Sequence, residues 1–182
     1  MEILLIDANY LKRVTTLNGS VDDTLLPPAI IAAQDIEIQT YTGSDLLDKL
    51  KSEVQAGTLS GVYKTLVDDY LRKALAWATM EELLPSLYVK LENGGLVIRS
   101  AEGTSAISET EYQREVDRAR NKKSFYLRQM CSYMSYNAAS LPEYGTNNLN
   151  RIPARPFSYH IGGFHIGGRN ASGYAKEIYS TR

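Results

Sequence analysis

The chain has 182 residues, 43% hydrophobic and 23% charged, which fits one soluble core with an appendage and excludes a protein disordered overall. A single cysteine, Cys131, excludes an internal disulfide and a cysteine-based metal site, and no apolar run approaches the ~20 residues of a membrane span. The formal net charge of -1 hides an asymmetry: residues 1–144 carry 15 Lys+Arg against 20 Asp+Glu, whereas residues 145–182 carry Arg151, Arg155, Arg169, Lys176 and Arg182 against only Glu177, so a body and a tail of opposite sign attract, within one subunit or between neighbours.

The opening run Glu2-Ile3-Leu4-Leu5-Ile6-Asp7 has no basic region before it and is unlike a signal peptide, which predicts a cytosol-like compartment. Asp7 to Val14 reads as a short helix capped by Asp7, with Tyr10, Leu11 and Val14 as its apolar positions and Asn18-Gly19-Ser20 as the turn that follows. Asp22-Asp23 and Pro27-Pro28 are helix-start chemistry for a helix from about residue 28 to Tyr41. The alternation Ile36-Glu37-Ile38-Gln39 also suits a strand, but Gly43 as a stop and Ser44 as a new start favour helix. Ser44 to Ala56 places Leu46, Leu47, Leu50 and Val54 on one face and closes on Gly57.

From Ser60-Gly61, Tyr63, Leu66, Val67, Tyr70, Ala74, Trp77 and Ala78 recur at spacings of three and four, predicting an amphipathic helix to about Leu84, before Pro85. Leu87 to Leu91 and Leu96 to Arg99 are apolar runs joined by Glu92-Asn93-Gly94-Gly95, which is hairpin chemistry and predicts a small β-hairpin or extended arm. Ala101 to Ser108 reads as a loop. Ser108 and Glu111 then form a capping box for a long helix to about Ala139, carrying Tyr112, Val116, Ala119, Tyr126, Met130 and Met134 along one arc and spanning roughly 45 Å. Cys131 falls inside it as a small buried residue. A helix of that length outlasts a small core, so part of it is expected to touch something else. The fold class is therefore mainly α, a bundle of about four helices with one long C-terminal helix.

After Leu141-Pro142-Glu143 the periodicity stops. Residues 145–182 hold six glycines, Pro153 and Pro156, and Phe157, Tyr159, Phe164 and Tyr174 spaced by small residues, which reads as an extended basic arm ordered by neighbours. The doubled unit Tyr159-His160-Ile161-Gly162-Gly163 and Phe164-His165-Ile166-Gly167-Gly168 contains both histidines. No carboxylate or thiol accompanies them locally, so the repeat is read as extended arm, with neither metal nor cofactor. Arg151, Arg155, Tyr159, His160, Phe164, His165 and Tyr174 are the expected docking residues of this arm.

Arg114, Arg118 and Lys122 recur every four residues as a basic stripe. Glu111 and Glu115 lie three before the two arginines, so an ion-pair face is the simpler reading and contact with DNA the sharper one. Phosphate loops, nucleophile elbows and zinc-protease helices are absent from the sequence, which reads as that of a non-enzyme. A nucleic-acid-binding module using the stripe and the tail is the alternative, against which the acidic body speaks.

Two blocks carry a resemblance. Val21-Asp22-Asp23, Leu26-Pro27-Pro28-Ala29-Ile30, Ala33-Gln34-Asp35, Thr42-Gly43-Ser44-Asp45-Leu46 and Lys49-Leu50 form the first. Phe125-Tyr126-Leu127 through Tyr133 and Asn137 to Leu141-Pro142-Glu143-Tyr144 form the second. In order and spacing the chain, over about residues 7–144, resembles the head-tail connector (adaptor) proteins of tailed bacteriophages, of the type found in phages of Bacteroides-like hosts, including crAss-like phages. The resemblance implies a mostly helical subunit of a ring, usually of twelve copies, in the neck of the virion beneath the portal protein, assembled in the host cytoplasm. It also implies that the ring extends the DNA channel, with non-specific contact to genomic DNA, and docks stopper or tail proteins away from any membrane. The glycine- and tyrosine-rich tail matches no constant feature of that family.

Overall fold

Seven consecutive residues, Ala74 to Met80, are buried, and a helix that is buried all round must run through the middle of its fold. The computed structural model describes residues 2–17, 21–92, 95–98, 107–146, 151–155, 160–161 and 164–165. The turn expected at Asn18-Gly19-Ser20, most of the Ala101 to Ser108 loop, and Tyr159 and Tyr174 lie outside the described residues.

The chain is mainly helical. Helix α1 (Ala8–Val14) starts where expected because the Asp7 carboxylate accepts the Tyr10 N–H at 2.8 Å. One tight turn (Asp23–Leu25) leads into α2, residues 26–42, with Pro27 and Pro28 in its first turn where no N–H is required. Helix α3 is Ser44–Ala56, and Gly57 ends it in the left-handed region. Helix α4 covers residues 61–88, strands β1 (Val89–Glu92) and β2 (Gly95–Ile98) pair antiparallel in the register Val89 to Ile98, and α5 is Glu109–Tyr136.

The alternation at Ile36-Glu37-Ile38-Gln39 belongs to a helix. Residues two apart on a helix face nearly opposite ways, so Ile36 stands 60% exposed while Ile38 is fully buried. The stretch Gln34–Ile38 is a π turn, closed by the Gln39 N–H on the Gln34 carbonyl. A second π turn, Leu66–Leu71, brings Leu66, Val67 and Leu71 inward together, a spacing that a plain α-helix would splay.

Helix α4 runs past the expected stop at Leu84 to Tyr88, because Pro85 sits in the last turn and removes only one hydrogen bond there. Leu87 and Tyr88 are consequently helical, and the strand begins at Val89. Helix α5 carries the capping box, with the Ser108 hydroxyl accepting the Glu111 N–H at 3.3 Å and Glu111 accepting the Ser108 N–H at 3.0 Å. It ends at Tyr136, three residues short of the expected Ala139, because Ala138–Ser140 tightens into a separate turn. Its length is about 42 Å.

Helices α2 and α5 pack on α4, and α1 also touches it. The core of α5 is Val116, Ala119, Leu127, Met130, Cys131 and Met134. The one polar side chain among the seven buried α4 residues is satisfied, since the Thr79 hydroxyl donates to the Leu75 carbonyl at 2.8 Å. The segment before α1 lies on α2, where the buried Gln34 amide acts as a strand would: Oε1 accepts the Leu5 N–H at 3.1 Å and Nε2 donates to the Ile3 carbonyl at 3.1 Å. The Arg72 guanidinium adds a donor to the Leu5 carbonyl and an ion pair to Asp68 at 2.6 Å.

Candidate interaction surfaces

The corner between α2 and α3 is built around Gly43, whose φ of +75° and ψ of 163° fall in a region reserved for glycine. A strap, residues 151–155, crosses it. The Ser44 N–H donates to the Ile152 carbonyl at 2.9 Å, the Ile152 N–H to the Ser44 hydroxyl at 3.2 Å, and the Arg155 N–H to the Thr40 carbonyl at 2.9 Å. A Cβ on Gly43 would lie 2.8 Å from the Ala154 nitrogen. Arg151, one of the expected docking residues, pairs with Asp45 at 2.8 Å and with Asp48 on its own α3. The opposite charges of body and tail meet here within one subunit, where residues 151–155 lie against the α2–α3 corner.

The Asp45 carboxyl is held below its ordinary range by the Thr146 hydroxyl and then by Arg151. Replacing Asp45 with Asn is expected to loosen the strap and speed tryptic cleavage at the Arg151–Ile152 bond. An unchanged cleavage rate would mean that the backbone bonds alone hold it.

A second joint gathers the acid of the Leu141-Pro142-Glu143-Tyr144 block. Glu143 pairs with Lys49 of α3 at 2.8 Å and accepts the Tyr63 hydroxyl of α4 at 2.8 Å, while Lys49 lies 4.3 Å from the Tyr63 ring centre. Burial works against the Glu143 charge, but Lys49 and Tyr63 hold its carboxyl below the ordinary value and the Lys49 ammonium is pushed up. A third joint ties three helices: Lys123 of α5 meets Glu37 of α2 and, at 2.8 Å, Glu81 of α4, which also pairs with Arg120 at 3.0 Å.

The basic stripe is partly consumed. Lys122 lies 3.9 Å from the centre of the Trp77 ring, and Arg118 sits 3.6 Å from Glu115, while Arg114 stays exposed. Further along the chain, β3 (His160–Ile161) pairs antiparallel with β4 (Phe164–His165), setting His160 opposite His165 and Ile161 opposite Phe164. No described helix is long and apolar enough to cross a membrane.

A groove that sequence reasoning did not assign runs between α4 and α5. It is an open depression of about 700 Å³, lined by Phe125, Arg128, Gln129, Ser132, Tyr133 and Tyr136 of α5 beside Tyr70 of α4. Tyr70 and Tyr133 stack at 4.6 Å on its floor, whereas Phe125 is 50% and Tyr136 90% exposed. The signal was available in the sequence, because both exposed rings fall off the apolar arc of α5, on the side where an amphipathic helix carries polar residues.

No curated protein and no solved structure matches the chain. A family does match, over residues 38–154, a stretch that starts in the α2 π turn, takes in both joints of α3, and stops on the strap at the residue packed over Gly43. On that match, which covers more than half of its length, the chain belongs to DUF6712, a family of unknown function.

Proposed function

We propose that this chain is a non-enzymatic structural subunit that packs into a ring of identical copies at the head-tail junction of a tailed phage. Beneath the portal, such a ring extends the DNA channel and offers stopper or tail proteins a docking surface. The resemblance of residues 7–144 to phage adaptors supplies the identity of the assembly. The physical support is that the residues of both blocks serve the body itself: Gln34 pins the leading segment, Gly43 receives the strap, and Glu143 locks α3 to α4. The subunit is thereby a preformed part, as assembly with little rearrangement requires.

The observation that carries the reading is the groove. A body whose joints are closed by its own side chains still leaves Phe125 and Tyr136 in water, and exposed aromatic clusters of this kind mark interaction sites. The first turns of α5, Glu109 to Glu115, are exposed apart from Tyr112, which stacks on Tyr88 at 4.4 Å beside the β1–β2 hairpin. This end of the molecule, and the chain beyond Arg155, are the arms that reach adjacent subunits and the portal. Negative-stain imaging of the purified full chain is expected to show closed rings with countable symmetry. Single 20.3-kDa particles at every attainable concentration would refute the reading.

A further inference from the structure

We propose that the α4–α5 groove of one copy is filled by the α2–strap edge of the next, in a head-to-tail contact between unlike faces. This rests on the ring reading and names the surfaces that would build the ring. Besides the groove, the chain exposes a second apolar set. Ile36 is 60% exposed on α2, and Ile152 is 49% exposed on the strap. The two belong to one edge: the Thr40 hydroxyl donates to the Ile36 carbonyl one turn back, and the Thr40 carbonyl accepts the Arg155 N–H of the strap.

Groove and edge lie on opposite flanks of α5. Lys123 reaches Glu37 on the α2 side, and Phe125, two residues on, points about 200° away around the helix. A single copy therefore cannot fill its own groove with its own edge. Contacts of this type, with different patches on the two partners, propagate and close into rings when the rotation permits.

The rims match in charge. At the groove, Arg128 donates to the Ser124 carbonyl and has no ion-pair partner among the described residues. At the edge, Arg155 is exposed without an ion pair among the described residues, and Asp35 is 46% exposed with Lys51 at 3.7 Å. The groove thus offers the Arg128 cation to the half-exposed Asp35 of the edge, around an aromatic floor suited to the Ile36 and Ile152 side chains and the Arg155 guanidinium.

The test uses Tyr136→Glu to spoil the groove and Ile36→Lys to spoil the edge, in the full chain, with sedimentation velocity as the readout. Both positions are exposed, so the helical circular-dichroism spectrum should match the wild type and show that any loss lies in assembly. Each variant alone is expected to be monomeric. Mixed, they should form one-to-one dimers and nothing larger, because one intact groove and one intact edge remain between them. Assembly of either variant like the wild type, or a mixture that stays monomeric, would overturn the proposal while leaving the ring reading standing. Dimers of Ile36→Lys alone would show groove meeting groove and overturn it too. A monomeric wild type would remove both.

Discussion

Gly43→Ala is expected to lower the melting temperature by roughly 6–12 °C, which corresponds to about 3 kcal/mol for a chain of this size. Two penalties combine. The φ of +75° with ψ of 163° costs a residue with a Cβ about 1–3 kcal/mol, and the added carbon would sit 2.8 Å from the Ala154 nitrogen and 3.2 Å from the Ile152 carbonyl oxygen. No real Cβ tolerates the first of these distances, so the strap must move off or the corner must open. Either response breaks the bond from the Ser44 N–H to the Ile152 carbonyl and the bond from the Arg155 N–H to the Thr40 carbonyl. Amide exchange at Ser44 and Arg155 should accelerate along with the fall in melting temperature.

Gly57→Ala provides the control. Gly57 also has positive φ, +68°, but a Cβ there would meet open space. Its substitution carries only the backbone cost, about 1 kcal/mol, and should leave exchange at the strap unchanged. Equal effects of the two substitutions would show that the close approach of residues 152–154 contributes nothing.

The contrast between these glycines shows where sequence reading stops. Both were legible as helix stops, because a stop is a local property of φ and of the residues that follow. That Gly43 also receives a strap more than a hundred residues downstream was not legible, since a close approach between distant backbones leaves no periodic trace. The charges gave half of it: an acidic body and a basic tail attract, yet nothing local said that Arg151 would pair with Asp45 and Asp48 of α3. The capping box at Ser108 and the Asp7 cap are legible because each is written within one turn of chain, and the periodicity of α5 gives most of its buried face but leaves out Leu127. Helix α4 outruns its predicted end because Pro85, after an apolar stripe, reads as a stop, whereas in a last turn it removes a single bond. The π turns in α2 and α4 have no residue signature of their own, and the strand-like alternation at Ile36-Glu37-Ile38 arises because Ile36 is an apolar residue on the exposed side of the helix.

Lys123→Met should cost about 2 kcal/mol at neutral pH, and the cost should vanish in acid. Lys123 is the meeting point of three helices: its side chain is 14% exposed and contacts Glu37 of α2, 26% exposed, and Glu81 of α4, 20% exposed. Burial works against the ammonium, but the two carboxylates more than offset it and hold Lys123 above its ordinary value. Burial likewise works against the Glu81 charge, and Lys123 with Arg120 reverses it, so the Glu81 carboxyl titrates below its ordinary 4.5. Methionine fills the space of the lysine stem and leaves two half-buried carboxylates facing each other with only Arg120 nearby, a loss smaller than for a fully buried pair because water still reaches the rim.

The sign of the pH dependence follows from the two shifts. The depressed Glu81 contributes stability at neutral pH and gives it up as pH falls through its lowered value; the raised Lys123 keeps its contribution until pH climbs past the ordinary lysine value and through its own higher one. Between these limits the gap in melting temperature between wild type and Lys123→Met should stay level. As pH falls through the lowered Glu81 value it should close, because protonated Glu81 no longer requires a cation. Adding Glu81→Gln to the methionine variant should recover part of the loss at neutral pH by removing one of the stranded charges. A gap that widened in acid, or a double variant no more stable than the single one, would mean that the joint holds its helices through packing of the lysine stem, with its charges contributing nothing measurable.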